Sequence, residues 1–160
     1  MKQESHCVSC GSVKVSEYLR ELDAIIGRPF RGHVEALKYY EDTISAHGTE
    51  WIWIQNAAQS ETIGFLIIGT APNCHPDADF YVQEAYIKPE CRNRGYMTKT
   101  VTSFIKAHRG VYCLFVLNNN KPAYRFWMNI FTKMQYMECE LRDVGAGDET
   151  CTQYGFRPIS

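Results

Sequence analysis

Residues 85–97 run Ala-Tyr-Ile-Lys-Pro-Glu-Cys-Arg-Asn-Arg-Gly-Tyr-Met, and this stretch decides how we interpret the whole chain. Its apolar start predicts a strand that ends at Pro89, and a short polar loop then leads to a helix that begins near Gly95. Amide groups just before a helix lack partners within it, and the helix dipole adds positive potential there. The stretch therefore predicts an anion site suited to a diphosphate. Arg92 and Arg94 add positive charge, and Gly95 allows the backbone to approach a ligand closely.

The residues before this stretch predict two helices and three strands. Apolar residues at helical spacing predict helices over 16–26 and 33–47. The second helix carries its apolar stripe on Val34, Leu37, Tyr40 and Ile44. Bulky β-forming runs predict a hairpin over 51–54 and 63–68, and then a strand over 80–88.

After the stretch, helices and strands continue to alternate. The predicted elements are a helix over 96–108, a strand over 111–117, a helix over 121–130 and two strands near 135–141 and 152–156. A chain of 160 residues with this order fits a single mixed α/β (α+β) domain over residues 1–160.

Composition limits the classes of partner. Hydrophobic residues make up 45% of the chain and the formal net charge is -1, which gives no indication of nucleic acid or a membrane as a partner. The polar segment 1–12 lacks the apolar stretch of a signal peptide, and no apolar run is long enough to span a bilayer. We therefore expect a cytoplasmic protein.

The seven cysteines do not form a recognisable metal site or disulfide framework. Cys7 and Cys10 form a CxxC pair, but a structural zinc site normally needs a second close pair. Reduced thiols and no metal are the favoured interpretation. A metal- or redox-responsive protein that uses Cys7, Cys10 and either Cys74 or His75 is the remaining alternative.

A second informative segment, residues 120–127, runs Asn-Lys-Pro-Ala-Tyr-Arg-Phe-Trp. Asn120 can cap the helix that follows it, and a proline is well tolerated in a first helical turn. With this segment a family resemblance becomes specific. Residues 85–97 resemble the acetyl-CoA signature of the GNAT superfamily, a strand ending V-x-P followed by [RQ]-x-x-G-x-[GA], and the matching positions are Ile87, Pro89, Arg92 and Gly95. Residues 120–127 resemble the later signature N-x-x-A-x-x-[FL]-Y, in which Asn120, Ala123 and Phe126 match.

The resemblance implies a three-layer GNAT-like fold: a central mixed, mostly antiparallel sheet, flanked by helices, with a splayed strand pair that receives acyl-CoA. It implies an N-acetyltransferase with acetyl-CoA as co-substrate and an amine acceptor, either a small molecule or a peptide, in a monomer or homodimer. Met97 departs from the pattern, but its amide can still donate. The residues implied to contact acetyl-CoA are Ile87, Arg92, Asn93, Arg94, Gly95, Tyr96, Met97, Asn120 and Trp127.

Acyl transfer to an amine needs a base that accepts the ammonium proton and a donor to the departing sulfur. Glu84 is the candidate base because it lies on the strand that should line the site, where strand alternation puts it on one face with Tyr86. The family often places an acidic tyrosine where this chain has Trp127, whose indole N–H can donate a hydrogen bond but not a proton. Tyr124, one helical turn earlier, is the candidate acid. The absence of a tyrosine at position 127 also motivates an alternative, a non-catalytic acyl-CoA sensor of the same fold.

Overall fold

The computed structural model describes residues 15–25, 27, 33–44, 46–134, 140–146 and 149–158. Cys7 and Cys10 lie outside these ranges, as do residues 135–139, where the sequence predicts most of a strand. None of the helices within the described ranges combines the length and apolar character needed to cross a bilayer.

Helices and strands follow each other in nearly the predicted order. In chain order they are α1 (15–25), α2 (His33–Thr43), β1 (Thr49–Gln55), β2 (Thr62–Gly69), β3 (Phe80–Ile87), α3 (Tyr96–Ala107), β4 (Tyr112–Leu117), α4 (Lys121–Met134), β5 (Glu140–Ala146) and β6 (Glu149–Phe156). A single 3-10 turn, Pro89–Cys91, joins β3 to the loop before α3.

The strands form one sheet in the order β1-β2-β3-β4-β6-β5. Neighbouring strands are antiparallel except for β3 and β4, which run parallel because α3 connects them. These two strands pair only over Phe80–Val82 and Tyr112–Leu114. Beyond those residues they separate, so the predicted mixed sheet with a splayed strand pair is confirmed.

Aromatic packing closes the sheet at the end where β3 and β4 still pair. The Tyr112 ring is fully buried and stacks on Phe80 at 4.8 Å and on Phe156 at 5.2 Å between centroids. Stacked rings bury much apolar area and fix strand positions. The opening between β3 and β4 therefore lies at their carboxyl ends, where α3 and α4 begin.

The two faces of the sheet carry separate cores, which gives three layers. α1 and α2 pack Leu19 and Tyr40 against Phe65 on one face, and α3 and α4 pack Phe104 and Ile130 among the buried residues of the other. The alternation of β2 supplies both cores, since Phe65 and Ile67 face α1 while Leu66 and Ile68 face α3.

Three sequence predictions differ from the structure. Val34 does not share the buried stripe of α2 and is 79% exposed, because the stripe runs through Ala36 and Tyr40 and Val34 lies roughly 160° from Ala36 around the helix. α2 ends at Thr43 rather than at residue 47. At this end the Thr43 hydroxyl donates to the Tyr40 carbonyl at 2.8 Å. The penultimate strand is described over Glu140–Ala146, so it extends five residues past the predicted end at residue 141, and residues 135–139 of the prediction lie outside the described ranges.

Candidate active site

A cavity of about 910 Å³ fills the opening between β3 and β4. Its lining includes Glu84 at one end of the separated strands and the loop before α3 at the other. Most of the residues predicted from the sequence line it: Glu84, Ile87, Arg92, Asn93, Arg94, Gly95, Tyr96, Met97, Asn120 and Trp127. The structure therefore brings together two segments that the sequence separates by a helix and a strand.

The loop before α3 presents unpaired backbone N–H groups. Asn93 and Gly95 have φ of 59° and 79°, in the left-handed region, which turns successive amides toward one side. The amides of residues 93–98 have no hydrogen-bond partner among the described residues, and the first α-helical bond runs from Lys99 to the Gly95 carbonyl at 2.9 Å. Such a concave row of amides at a helix N-terminus binds anions.

Side chains hold this loop in place. Met97 packs against the core, and its amide remains among those without a partner in the described residues. The hydroxyl of Tyr96 accepts a hydrogen bond from the Ala57 amide at 3.2 Å, which ties the loop to the β1–β2 turn. Residue 97 can thus carry a long side chain where glycine or alanine is usual, because that side chain points into the protein.

The two arginines of the loop are not equivalent. Arg92 donates through Nη2 to Glu21 Oε2 at 2.6 Å and through Nε to the Ile87 carbonyl at 2.8 Å. Its hydrogen bond to Glu21 raises the pKa of the guanidinium above its ordinary value, although burial opposes this. Arg94 is exposed and makes no ion pair within the described part of the chain. Arg94 is therefore the loop cation that is available to a phosphate.

The free edge of β3 faces the cavity. The Lys88 amide donates to the Ile63 carbonyl of β2 at 2.9 Å, so the alternate residues Ile87 and Ala85 direct their N–H and C=O groups away from β2. The Ile87 carbonyl already accepts from Arg92, and a carbonyl oxygen has two lone pairs. An extended ligand can add to this edge as a strand would.

α4 forms the opposite wall of the cavity. Asn120 caps the helix, with its Oδ1 accepting from the Ala123 amide at 3.2 Å. Trp127 is buried, at 5% exposure, and lines the cavity together with Arg125 and Lys133. Arg125 and Lys133 were not predicted as site residues. Their helical spacing from Pro122, which puts all three on one face of α4, is the pattern in the sequence that could have indicated them.

Glu84 stands at a bulge in β3. Ile67 of β2 is opposite Glu84 and Ile68 is opposite Val82, so Gln83 is an extra residue. The Glu84 carboxylate accepts hydrogen bonds from the Tyr18 hydroxyl on one oxygen and from the Tyr40 hydroxyl at 2.6 Å on the other. Burial raises the pKa of Glu84, and the two tyrosine hydrogen bonds partly lower it again.

Glu84 and Tyr86 lie on the same face of β3, the face that α1 and α2 cover, as strand alternation predicts. Tyr18 and Tyr40 were not predicted as site residues. Tyr40 lies on the predicted apolar stripe, and Tyr18 sits beside Leu19 at the start of α1, but neither position alone indicates a carboxylate partner.

Tyr124, the candidate acid, lies outside the cavity lining. It is 47% exposed on α4, so the structure does not bring it to Glu84. No group of three or more His, Cys, Asp or Glu side chains in the described ranges is arranged to hold a metal ion.

Comparison with known proteins agrees with this geometry. Residues 17–130 match the family model for the acetyltransferase (GNAT) family. No curated protein sequence matches significantly. Among solved structures, an acetyltransferase from Thermus thermophilus is similar with a TM-score of 0.63 and 17% identity, over 92% of this chain and 90% of that one.

A diaminobutyrate acetyltransferase from Paenibacillus lautus, solved with L-2,4-diaminobutyric acid and coenzyme A, has a TM-score of 0.61 and 13% identity, with 92% and 89% of the two chains covered. An N-acetyltransferase from Staphylococcus aureus also has a TM-score of 0.61, with 10% identity and coverage of 90% and 92%. At these identities the solved structures show a shared fold, and the family model covers well over half of the chain. The chain belongs to the GNAT family of acetyltransferases.

Proposed function

We propose that this protein transfers an acetyl group from acetyl-CoA to a primary amine by direct attack in a ternary complex. The observation that carries the proposal is a cavity with an anion-binding loop at one end and a buried carboxylate at the other. The two ends match the two halves of the reaction, because the diphosphate of CoA needs amide donors and the acceptor needs a base.

Acetyl-CoA fits the cavity in one direction. The amides of residues 93–98 and the side chain of Arg94 bind the diphosphate. The pantetheine arm follows the free edge of β3 at Ala85 and Ile87, with Asn120 and Trp127 on the facing wall. This direction places the thioester between the separated strands, next to Glu84.

Glu84 acts as the base in this proposal. It accepts a proton from the ammonium group, and the neutral nitrogen attacks the thioester carbonyl carbon. The C–N bond forms as the C–S bond breaks, the CoA thiolate leaves, and the nitrogen releases its second proton to solvent to give the neutral amide. A pKa raised by burial makes Glu84 a stronger base than an exposed carboxylate.

The departing thiolate takes its proton from solvent. Tyr124 is outside the cavity lining, and Trp127 can only donate a hydrogen bond to sulfur. A cysteine nucleophile is not required by this route. Among the described cysteines, burial raises the pKa of Cys113 to about 11, which leaves its thiol protonated at neutral pH.

Calorimetric titration with acetyl-CoA, followed by measurement of CoA release in the presence of amines, tests the proposal. We expect micromolar binding that Gly95→Glu weakens, because a carboxylate in the amide loop repels the diphosphate. Glu84→Gln should bind acetyl-CoA normally and lose turnover. If neither acetyl-CoA nor CoA binds, the proposal is wrong.

The second candidate function is an acyl-CoA sensor without catalysis. The placement of Tyr124 favours it, since position 127, where the family often has its acid, holds a tryptophan and Tyr124 lies outside the cavity lining. Tight binding of acetyl-CoA without CoA release for any amine would support the sensor over the enzyme.

A further inference from the structure

The cavity lining changes chemically from one side of the sheet to the other. On the side of α3 and α4 it carries the cations Arg94, Arg125 and Lys133. On the side of α1, apart from Glu84 and the Glu21–Arg92 ion pair, it is mainly apolar and aromatic. We call this second part the α1-side compartment; its walls are Leu22, Ile25, Tyr81, Glu84, Phe115 and Leu117.

Strand alternation and ring contacts fix these residues on the α1 side. Tyr112, Leu114 and Val116 of β4 face the core beneath α3 and α4, so the intervening Phe115 and Leu117 face α1. The Tyr81 and Phe115 rings meet edge-to-face at 5.7 Å across the strand opening. An acceptor that approaches Glu84 from α1 therefore passes between hydrocarbon side chains.

The compartment offers one negative charge. Glu21 and Glu84 are the two carboxylates in the cavity lining that the structure describes. Glu21 is held by Arg92 at 2.6 Å, so its charge is already compensated. Among the described residues, Glu84 is bonded by the neutral hydroxyls of Tyr18 and Tyr40, and its charge is the one in the described lining that is available to an ammonium group.

Uncompensated positive charge is not available in the same place. Arg94, Arg125 and Lys133 lie on the loop before α3 or on α4, and Arg92, the lining cation that reaches α1, is already paired with Glu21 at 2.6 Å. A carboxylate on the acceptor would thus enter the compartment without an unpaired cation among its described walls. A second ammonium group would lack a second carboxylate, and hydroxyl groups would lie against leucine, isoleucine and phenylalanine.

We propose that the acceptor is a primary monoamine carried on an apolar chain or ring, which this apolar compartment with its single carboxylate would select. The inference rests on the proposed acetyltransferase function and adds the substrate class. Apolar walls favour a hydrocarbon body, and they disfavour a polar group that leaves water without gaining a partner. Glu84 holds the ammonium end and then accepts its proton.

Amines with the same six-carbon chain and different tails test this directly. Hexylamine, 6-aminohexan-1-ol, 1,6-diaminohexane and 6-aminohexanoate present the same reacting amine. Measured as kcat/KM for CoA release, hexylamine should exceed each polar-tailed amine by about tenfold or more. A peptide with a free N-terminus serves as a further competitor.

A charge-adding variant provides the matched control. Ile25 is two helical turns from Tyr18, roughly 10 Å along α1, and is partly exposed, so it accepts a polar side chain. Ile25→Glu should raise kcat/KM for 1,6-diaminohexane relative to hexylamine by about tenfold. Ile25→Gln, which adds similar size without charge, should not.

The outcomes separate this inference from the proposed function. Equal or better use of a polar-tailed amine or the peptide overturns the substrate class and leaves an acetyltransferase. Acetyl-CoA binding without acetylation of hexylamine also overturns it. If acetyl-CoA does not bind at all, the proposed acetyltransferase function itself is wrong.

Discussion

The hydroxyl of Tyr40 lies 2.6 Å from Oε1 of Glu84 and donates a hydrogen bond to it. Tyr18 donates to the other carboxylate oxygen, so residues on α1, α2 and β3 meet at one buried acid. Desolvation favours the neutral acid, while both hydrogen bonds favour the ionised form. The proton affinity of the Glu84 carboxylate therefore depends on two tyrosines that are far away in sequence.

Tyr40→Phe should move the pH dependence of the reaction upward. Removing the hydroxyl removes a hydrogen bond to the carboxylate, so the pKa of Glu84 rises further. Because the base must be ionised to act, the acidic limb of kcat/KM should shift to higher pH by about one unit. The profile is measured by CoA release across the acidic and neutral pH range.

Tyr39→Phe is a control for this prediction. Tyr39 is 48% exposed and neighbours Tyr40 on the same helix, whereas the hydroxyls that donate to Glu84 are those of Tyr18 and Tyr40. The profile of Tyr39→Phe should coincide with that of the parent protein. An acidic limb that does not move in Tyr40→Phe would show that Glu84 is not the titrating base.

Glu84→Gln should abolish most turnover without destabilising the protein. Loss of a general base lowers kcat by about 10²–10⁴-fold, whereas the affinity for acetyl-CoA should stay the same. Because the pKa of Glu84 is raised in the folded protein, ionisation of Glu84 opposes folding. This penalty is absent below the pKa that Glu84 has in the unfolded chain, and it grows as the pH rises through the pKa that Glu84 has in the folded protein.

The melting temperature of Glu84→Gln should accordingly equal or exceed that of the parent at pH 8. The difference should shrink as the pH is lowered toward the ordinary range of a glutamate, about 4. Thermal unfolding at several pH values measures it. A melting-temperature difference that moves against Glu84→Gln as the pH rises would contradict the sign of the pKa shift.

Gly95→Ala should destabilise the loop through its backbone conformation. Gly95 has φ of 79°, and a Cβ built there would meet no atom within 4 Å. The cost is therefore conformational, about 1 kcal/mol, and not steric. Gly95→Asn should lower the free energy of unfolding by less than Gly95→Ala does, because asparagine tolerates the left-handed region, as the native Asn93 does at φ of 59°. Denaturant unfolding of both variants distinguishes these effects, and equal losses would refute the conformational explanation.

The loop could be predicted because its information is local. Proline, glycine and the helix start at residues 89–96 predict a strand end, a turn and a candidate anion site without reference to the rest of the chain. Strand alternation also placed Glu84 and Tyr86 on one face. The hydrogen bonds of Tyr18 and Tyr40 to Glu84 span 66 and 44 residues, and no local pattern encodes such contacts.

The two loop arginines illustrate the same limit. Composition and position made Arg92 and Arg94 equivalent candidates for the diphosphate. The packing of α1 against the loop distinguishes them, because it brings Glu21 to Arg92 and leaves Arg94 exposed. Their difference depends on tertiary contacts, so it emerges only from the folded chain.

Arg92 and Arg94 should consequently respond differently to replacement by alanine. Arg94→Ala should weaken acetyl-CoA binding by about tenfold, since it removes a charged donor near the diphosphate, and should leave thermal stability unchanged. Arg92→Ala should lower the melting temperature by about 2–4 °C, because it breaks the link between α1, the loop and the Ile87 carbonyl and leaves Glu21 without its partner.

Glu21→Gln separates the two roles of Arg92. If Arg92 acts mainly by fixing α1 to the loop, Glu21→Gln should reproduce part of the stability loss of Arg92→Ala, and the double variant should lose less than the sum. Calorimetric titration and thermal unfolding on the same preparations give the acetyl-CoA affinity and the melting temperature. A large loss of acetyl-CoA affinity in Arg92→Ala with unchanged melting temperature would instead assign its guanidinium to the phosphates.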